Sequence, residues 1–201
     1  MSGIVDVLHF QRLLRCSGFD PGPLDGQMGP KTLAAAAAFQ EMCAKIALEA
    51  GAVDPRSEKA IATLLPATQR AARRFLRECA LHGMDVRVIS GTRTYAEQDE
   101  IYAQGRTKKP GPIVTRARGG QSNHNFGLAF DVGVFEGGKY LPDGSEYSMI
   151  ATLRPPGVEW GGDWPMSLGG PDRPHYQMAT GFSLGEVRRR FEAGLLRVEG
   201  R

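Results

Sequence analysis

The sequence contains only three cysteines, Cys16, Cys43 and Cys79, and no pair of them has CxxC spacing. This scarcity excludes a disulfide framework and a zinc site built from thiolates. The sequence also has no apolar run near the roughly 18–20 residues that a membrane helix needs. It does not open with a basic segment followed by an apolar one. We therefore expect synthesis in the cytoplasm without a signal peptide, and no membrane insertion.

An excess of charge of one sign is missing as well. The 25 Lys and Arg residues against 22 Asp and Glu residues leave a formal net charge of +3. This surplus is too small to indicate nucleic-acid binding. The arginines at 188–190 favour a solvated helix face, so nucleic acid is not expected as a partner.

Glycine, in contrast, is abundant, and its distribution divides the chain. Residues 1–66 hold 6 of the 26 glycines, with 6 basic and 7 acidic residues, which gives a net charge of −1. Residues 67–201 hold the other 20 glycines, with 19 basic and 15 acidic residues, which gives +4. Pro66 disfavours helical geometry at the residue before it. We predict a compact domain at 1–66 and a loop-rich domain at 67–201, which carries the functional sites.

Local patterns predict a different structure for each part. In the first part they predict three helices, one ending at Gly18, one beginning at Pro30 and one over residues 57–65. In the second part they predict helices at 67–82, 94–105 and 183–196, strands at 85–90 and 128–134, and a turn at 139–147. Without a regular βαβ rhythm, the predicted fold class is α+β: a three-helix bundle followed by a mixed α+β domain with a small antiparallel sheet.

Two of the four histidines, His124 and His175, lie in loop-like segments beside carboxylates. Asp131 lies inside an otherwise apolar predicted strand, where an unpaired carboxylate would be costly, so it should face a cation or a metal. Two imidazoles and one carboxylate are typical protein ligands of catalytic zinc. The spacing between His124 and Asp131 is not a helical repeat, so these residues alone leave both alternatives open.

A longer pattern surrounds these residues. Residues 122–131 form the motif SxHxxGxAxD, and Asp172 precedes His175 by three positions. The pattern resembles the zinc peptidases of peptidoglycan, the D-alanyl-D-alanine carboxypeptidase and L-alanyl-D-glutamate endopeptidase family. Further matching segments follow in order at 90–94, 111–115, 119–127, 160–164 and 172–177. Together they most resemble the endopeptidase branch, which is common among phage endolysins, and cover residues 67–180.

The resemblance implies a role for each matching residue. His124, Asp131 and His175 would hold one Zn²⁺. Asp172 would be the general base that takes a proton from the attacking water, and Arg93 would stabilise the developing oxyanion or bind a substrate carboxylate.

The identity of the general base stays open. Many relatives have Glu at the position of Asp172, so the shorter carboxylate departs from the family pattern. Glu159 and Asp163 are the competing candidates. Residues three apart on a flat strand face opposite ways, so we expect Pro174 to force a turn that brings Asp172 and His175 together.

Two further residues are predicted to bind substrate. Ser122 would assist substrate binding or hold the geometry of its loop. Trp160, with Trp164, would form the floor and wall of the cleft.

The first part of the chain has its own resemblance. The segments at 8–14, 18–19, 24–26, 29–32 and 39–40 are similar to the three-helix peptidoglycan-binding domain over about residues 3–66. The shared pattern mainly serves the scaffold, since Asp25 and Gly26 form a turn and Gly29 and Pro30 begin a helix. The resemblance implies peptidoglycan binding without assigning individual contacts.

These observations predict a monomeric two-domain zinc endopeptidase that cuts the peptidoglycan stem peptide between L-Ala and D-Glu. The alternatives are a carboxypeptidase that trims terminal D-Ala, a wall-binding protein without catalysis, and a basic nucleic-acid binder. The expected substrate includes both stem peptide and glycan. The expected route to the wall is release by a holin, lysis or dedicated secretion, as in a phage endolysin.

Overall fold

A computed structural model describes residues 6–108, 110–168 and 170–198 of the chain. Within these residues the α-helices are α1 Val7–Cys16, α2 Pro30–Ala50, α3 Pro55–Ile61, α4 Pro66–Leu81, α5 Tyr95–Tyr102, α6 Ser145–Ala151 and α7 Leu184–Glu192. The strands are β1 Asp85–Ser90, β2 Ala129–Glu136, β3 Lys139–Leu141, β4 Val158–Trp160 and β5 His175–Met178. Short 3₁₀ segments are Asn123–Phe126, Gly161–Asp163 and Met166–Leu168. No described helix is both long and apolar enough to cross a bilayer.

Helix ends follow local capping chemistry. The Asp6 carboxylate accepts from the His9 backbone N–H at the start of α1. Thr94 and Glu97 form the predicted capping box at the start of α5, and Ser183 caps α7. Each cap satisfies backbone N–H groups that have no partner inside the helix.

The strands form one antiparallel sheet in the order β1-β2-β5-β4, with β3 also paired to β2. Side chains alternate between the two faces of a strand. Phe130 and Tyr176 are therefore directed to the buried core, while Asp131 and His175, directly opposite each other across β2 and β5, share the other face. This architecture confirms the α+β prediction.

The predicted turn at 139–147 was wrong. The segment instead forms β3 and the start of α6. The Tyr140 ring packs 5.6 Å from the ring of Phe135, its cross-strand neighbour on β2. Tyr147 and Ile150, three residues apart on α6, are buried. These elements depend on tertiary contacts, since their own apolar patterns are too short to indicate a helix or a strand.

One hydrophobic core runs through the described residues. It includes Leu14 and Phe39 from before residue 66, and Phe75, Phe126 and Phe191 from after it. The Leu65 backbone N–H also donates to the Gly127 carbonyl at 3.0 Å. The division into domains 1–66 and 67–201 stays a prediction, and residues 1–5 and 199–201 lie outside the described residues.

Candidate metal centre

Three side chains converge on the sheet face opposite the core. His124 Nε2 lies 3.1 Å from Asp131 Oδ1 and 3.2 Å from His175 Nδ1. His175 Nδ1 lies 3.3 Å from the same Asp131 oxygen. Both histidines are buried, and the Asp131 side chain is 20% exposed. These three residues, hereafter the triad, form a group able to hold a metal ion.

The spacing of the donor atoms fits zinc. Ligands about 2.0–2.1 Å from a tetrahedral centre lie about 3.3 Å from one another. The three observed separations, 3.1, 3.2 and 3.3 Å, match that edge length. The donor set, two imidazoles and one carboxylate, also suits a catalytic zinc site that keeps a position for water.

His124 is positioned by the loop that carries it. Its segment is a 3₁₀ turn capped by Ser122, whose Oγ accepts from the His124 backbone N–H at 3.4 Å. Gly127 ends the turn at φ 68°, in the left-handed region that favours glycine. On the ring, Nδ1 lies 2.8 Å from the Gly91 carbonyl oxygen. That contact makes Nδ1 the protonated nitrogen and leaves the Nε2 lone pair for the triad.

Asp131 carries the negative charge of the triad. Burial acts to raise the pKa of Asp131, but its contacts with the His124 and His175 rings outweigh burial and hold the pKa well below the usual range. The second carboxylate oxygen, Oδ2, lies 3.6 Å from Arg93 Nη2. Asp131 therefore stays ionised, and the structure brings the predicted Arg93 guanidinium next to the triad.

Asp172 precedes β5 in a tight turn. The His175 backbone N–H donates to the Asp172 carbonyl at 3.2 Å, so the turn expected at Pro174 is present. The residue is exposed at the surface, but partial removal of its carboxyl from water, and then the negative charge of Asp131, raise the pKa of Asp172. Asp172 therefore lies within electrostatic range of the triad.

The two competing bases have other partners. Glu159 Oε2 accepts from Gln177 Nε2 at 2.8 Å, and Asp163 Oδ2 lies 3.6 Å from Arg154 Nη2. Asp163 is largely exposed. Asp172 remains the carboxylate whose pKa responds to the triad.

The two tryptophans differ in their position. Trp164 packs against the triad, with its ring centroid 4.8 Å from that of His175. Trp160 pairs with Tyr176 across β4 and β5, so it belongs to the core face of the sheet, and its indole N–H donates to the Arg173 carbonyl. The structure therefore does not bring Trp160 to the triad, and its predicted substrate role stays a prediction.

Sequence reasoning missed Gln177, Asn123 and Gly91 as residues around the triad. Gln177 Oε1 lies 3.0 Å from His175 Nε2 and accepts from Asn123 Nδ2 at 2.9 Å. The signal for Gln177 was present, because alternation along a strand places residues 175 and 177 on one face. The Gly91 carbonyl carried no signal, since any residue has one.

Comparison with known proteins identifies the family of this chain. The family model described as "VanY: D-alanyl-D-alanine carboxypeptidase" matches residues 62–149. The peptidoglycan L-alanyl-D-glutamate endopeptidase CwlK of Bacillus subtilis (strain 168) is 38% identical over 126 residues, which cover 57% of this chain and 73% of CwlK. The chain belongs to this family of peptidoglycan peptidases.

One solved structure is also similar to this chain. The L-Ala D-Glu endopeptidase ChiX of Serratia marcescens aligns at 27% identity with a TM-score of 0.48, over 63% of this chain and 88% of that chain. The family model includes His124 and Asp131 and ends before Asp172 and His175. The pairing of β5 with β2 is therefore what places His175 beside Asp131, outside the region that the family model matches.

Proposed function

We propose that the peptidase uses Zn²⁺ held by His124, Asp131 and His175 to hydrolyse the L-alanyl-D-glutamate bond of peptidoglycan stem peptides. The observation that carries this proposal is the convergence of three donor atoms at 3.1–3.3 Å on one sheet face. When bound, zinc would lower the pKa of a water molecule and polarise the scissile carbonyl. The choice of bond rests on the activity named for CwlK.

Residues around the triad would supply the other roles in the reaction. Asp172 would accept the proton of the attacking water and pass it to the leaving amine, since its raised pKa suits a group that exchanges protons. Arg93 would meet the negative charge that develops on the substrate carbonyl, or a substrate carboxylate, because a guanidinium is always charged. Ser122 would hold the His124 loop in place at the edge of the substrate path.

The direct test is digestion of defined muropeptides with and without a chelator, followed by mass analysis of the fragments. We expect free L-alanyl and D-glutamyl ends to appear only in the zinc-loaded reaction. Release of terminal D-alanine instead would identify a carboxypeptidase, the activity in the description of the matching family model. Cleavage that persists after complete metal removal would overturn the zinc proposal.

We also propose that residues 1–66 bind peptidoglycan. The support is the resemblance of this segment to the three-helix binding domain and its turn at Asp25. There, buried Gln11 accepts from the Asp25 and Gly26 backbone N–H groups and donates to the Asp25 carboxylate. Sedimentation of the zinc-free full chain with purified walls should show retention. A chain that stays in the supernatant at all wall concentrations would contradict wall binding.

An endolysin-like role follows from these two proposals. The peptidase would then act on the wall as a monomer after holin-type release or lysis. Light scattering of the purified chain tests the oligomeric state, and loss of turbidity of a wall suspension tests bacteriolytic activity.

A further inference from the structure

The contacts of Gln177 fix the direction of its amide group. Its Nε2 donates to Glu159 Oε2 at 2.8 Å, and Glu159 is its cross-strand neighbour on β4. A carboxylate can only accept hydrogen bonds, so the amide nitrogen must face Glu159. The amide oxygen therefore faces the triad side, where Asn123 Nδ2 donates to it at 2.9 Å.

This orientation determines which nitrogen of His175 carries the proton. Gln177 Oε1 lies 3.0 Å from His175 Nε2, and an amide oxygen can only accept. Nε2 must therefore be the N–H of the ring. Nδ1 is then the nitrogen left to bind a metal ion, and it faces Asp131 Oδ1 and His124 Nε2.

The same amide connects both histidine-bearing elements. Gln177 lies on β5 with His175, whereas Asn123 belongs to the 3₁₀ turn that carries His124. A rotated Gln177 amide would place its nitrogen against His175 Nε2 and its oxygen against the Glu159 carboxylate. That arrangement would repel Glu159 and favour the wrong tautomer of His175.

We propose that Gln177, oriented by Glu159 and Asn123, is a positioning residue that fixes His175 as an Nδ1 metal ligand. The inference rests on the proposed zinc function. Groups that donate to or accept from the outer nitrogen of a metal-binding histidine typically change metal affinity about 10–100-fold when they are removed. In this proposal Glu159 orients the Gln177 amide, which is a role distinct from general base catalysis.

The first test replaces Gln177 with methionine, which keeps the length of the side chain and removes its hydrogen bonds. We expect Gln177→Met to weaken zinc binding about 10–100-fold, measured by competition with a chromophoric chelator. In the zinc-loaded proteins, ¹⁵N-edited spectra should show a His175 Nε2–H that is protected from exchange in the wild type and that exchanges faster with water in the variant. Gln27→Met, at an exposed position outside the site, is the matched control and should change neither measurement.

The second test exchanges donor and acceptor. In Gln177→Glu, the new carboxylate can still accept from His175 Nε2–H, but it faces the Glu159 carboxylate. Adding Glu159→Gln restores a donor to the pair, so the double variant should recover both zinc affinity and the Nε2–H signal.

Wild-type zinc affinity and an unchanged His175 spectrum in Gln177→Met would overturn the inference. So would a folded double variant that binds zinc no better than Gln177→Met. Failure of the wild-type protein to bind zinc would instead refute the proposed function, because the inference concerns only the difference in zinc affinity between the wild type and the variants.

Discussion

The two oxygens of Asp131 have different neighbours. Oδ1 lies between the two imidazoles, whereas Oδ2 lies 3.6 Å from the Arg93 guanidinium. A metal at the triad would take Oδ1, which leaves Arg93 beside the second oxygen and next to the site of reaction. One carboxylate therefore contacts both imidazoles and the Arg93 guanidinium.

Replacement of Asp172 separates catalysis from metal binding. We expect Asp172→Asn to lower kcat by about 10²–10⁴-fold, the usual contribution of a general base, while bound zinc stays at one equivalent. Muropeptide turnover and metal analysis of the same preparation provide the two measurements. Asp163→Asn, which removes an exposed carboxylate paired with Arg154, should retain nearly full activity.

Loss of zinc from Asp172→Asn would show that Asp172 is a ligand. Loss of activity in Asp163→Asn alone would assign the base to Asp163.

At the scale of elements, the loop after β1 contacts both the end of α3 and His124 of the triad. An added Cβ at Gly91 would lie 2.3 Å from the Ala60 carbonyl oxygen and 2.6 Å from Thr63 Oγ1. Thr92 next to it donates two hydrogen bonds to Thr63, from its backbone N–H to Oγ1 and from its hydroxyl to the backbone carbonyl. The Gly91 carbonyl accepts from His124, so the end of α3 supports the orientation of the His124 ring.

A methyl group at Gly91 tests this support. Gly91→Ala should lower the free energy of unfolding by about 1–3 kcal/mol, because overpacking against backbone forces the loop to shift. Zinc affinity should fall as well, since the shift moves the partner of His124. Denaturant unfolding and chelator competition measure the two effects.

Gly111→Ala is the control, because an added Cβ there meets nothing within 4 Å. An unchanged free energy of unfolding and an unchanged zinc affinity in Gly91→Ala would contradict the coupling between α3 and the loop that carries His124.

The sequence predicted the parts of the structure that depend on local signals. The capping box at Thr94 and the motif around His124 and Asp131 each lie within about ten residues, and both were found. The position of Trp160 and the contact between Gln177 and Glu159 depend on the register of β4 against β5, which local pattern does not specify. The strand and helix at 139–151 were missed because packing, and not propensity, stabilises them.

Helix α1 buries the titratable side chain of His9 against α5 and α7. The His9 ring lies 5.7 Å from the Tyr95 ring and 5.2 Å from the Phe191 ring. Its Nε2 is buried with no hydrogen-bond partner among the described residues. Burial lowers the pKa of His9, more than Asp6 and Glu97 raise it, and Arg12 lowers it further.

This burial makes stability depend on pH. The unfolded chain takes up a proton near the ordinary histidine pKa of about 6.5, whereas the folded chain does so only at lower pH. The free energy of unfolding should therefore fall as the pH drops below about 6.5, until His9 also protonates in the folded protein. His9→Phe, which keeps an aromatic ring without titration, should lose this part of the pH dependence.

Urea unfolding at several pH values between 5 and 8 measures the difference between the two proteins. Identical pH dependence in wild type and His9→Phe would show that His9 does not contribute.

At the scale of the whole molecule, the core is continuous across residue 66. Leu64 and Leu65, at the end of the predicted first domain, are almost completely buried and join the same cluster as Phe126 and Tyr176. Small proteins with one core usually unfold in a single cooperative transition. We therefore expect the helical segment before Pro66 and the peptidase sheet to unfold together.

Truncation of Leu65 tests this cooperativity. Leu65→Ala should lower the free energy of unfolding by about 2–5 kcal/mol. Calorimetry should show one transition, and circular dichroism and zinc release should have the same midpoint. Two separated transitions in the wild-type protein would contradict a shared core.

The buried junction at Leu65 also affects how this peptidase can be re-engineered. A chimaera cut at Pro66, with another targeting segment in place of residues 1–66, would lose the Leu65 contact to Gly127 and the packing of Ala60 beneath Gly91. Both contacts end on loops that carry His124 or its partner. A transplantable catalytic unit from this chain must therefore begin before α3 and must supply substitutes for the apolar side chains with which α1 and α2 cover α7 and α4.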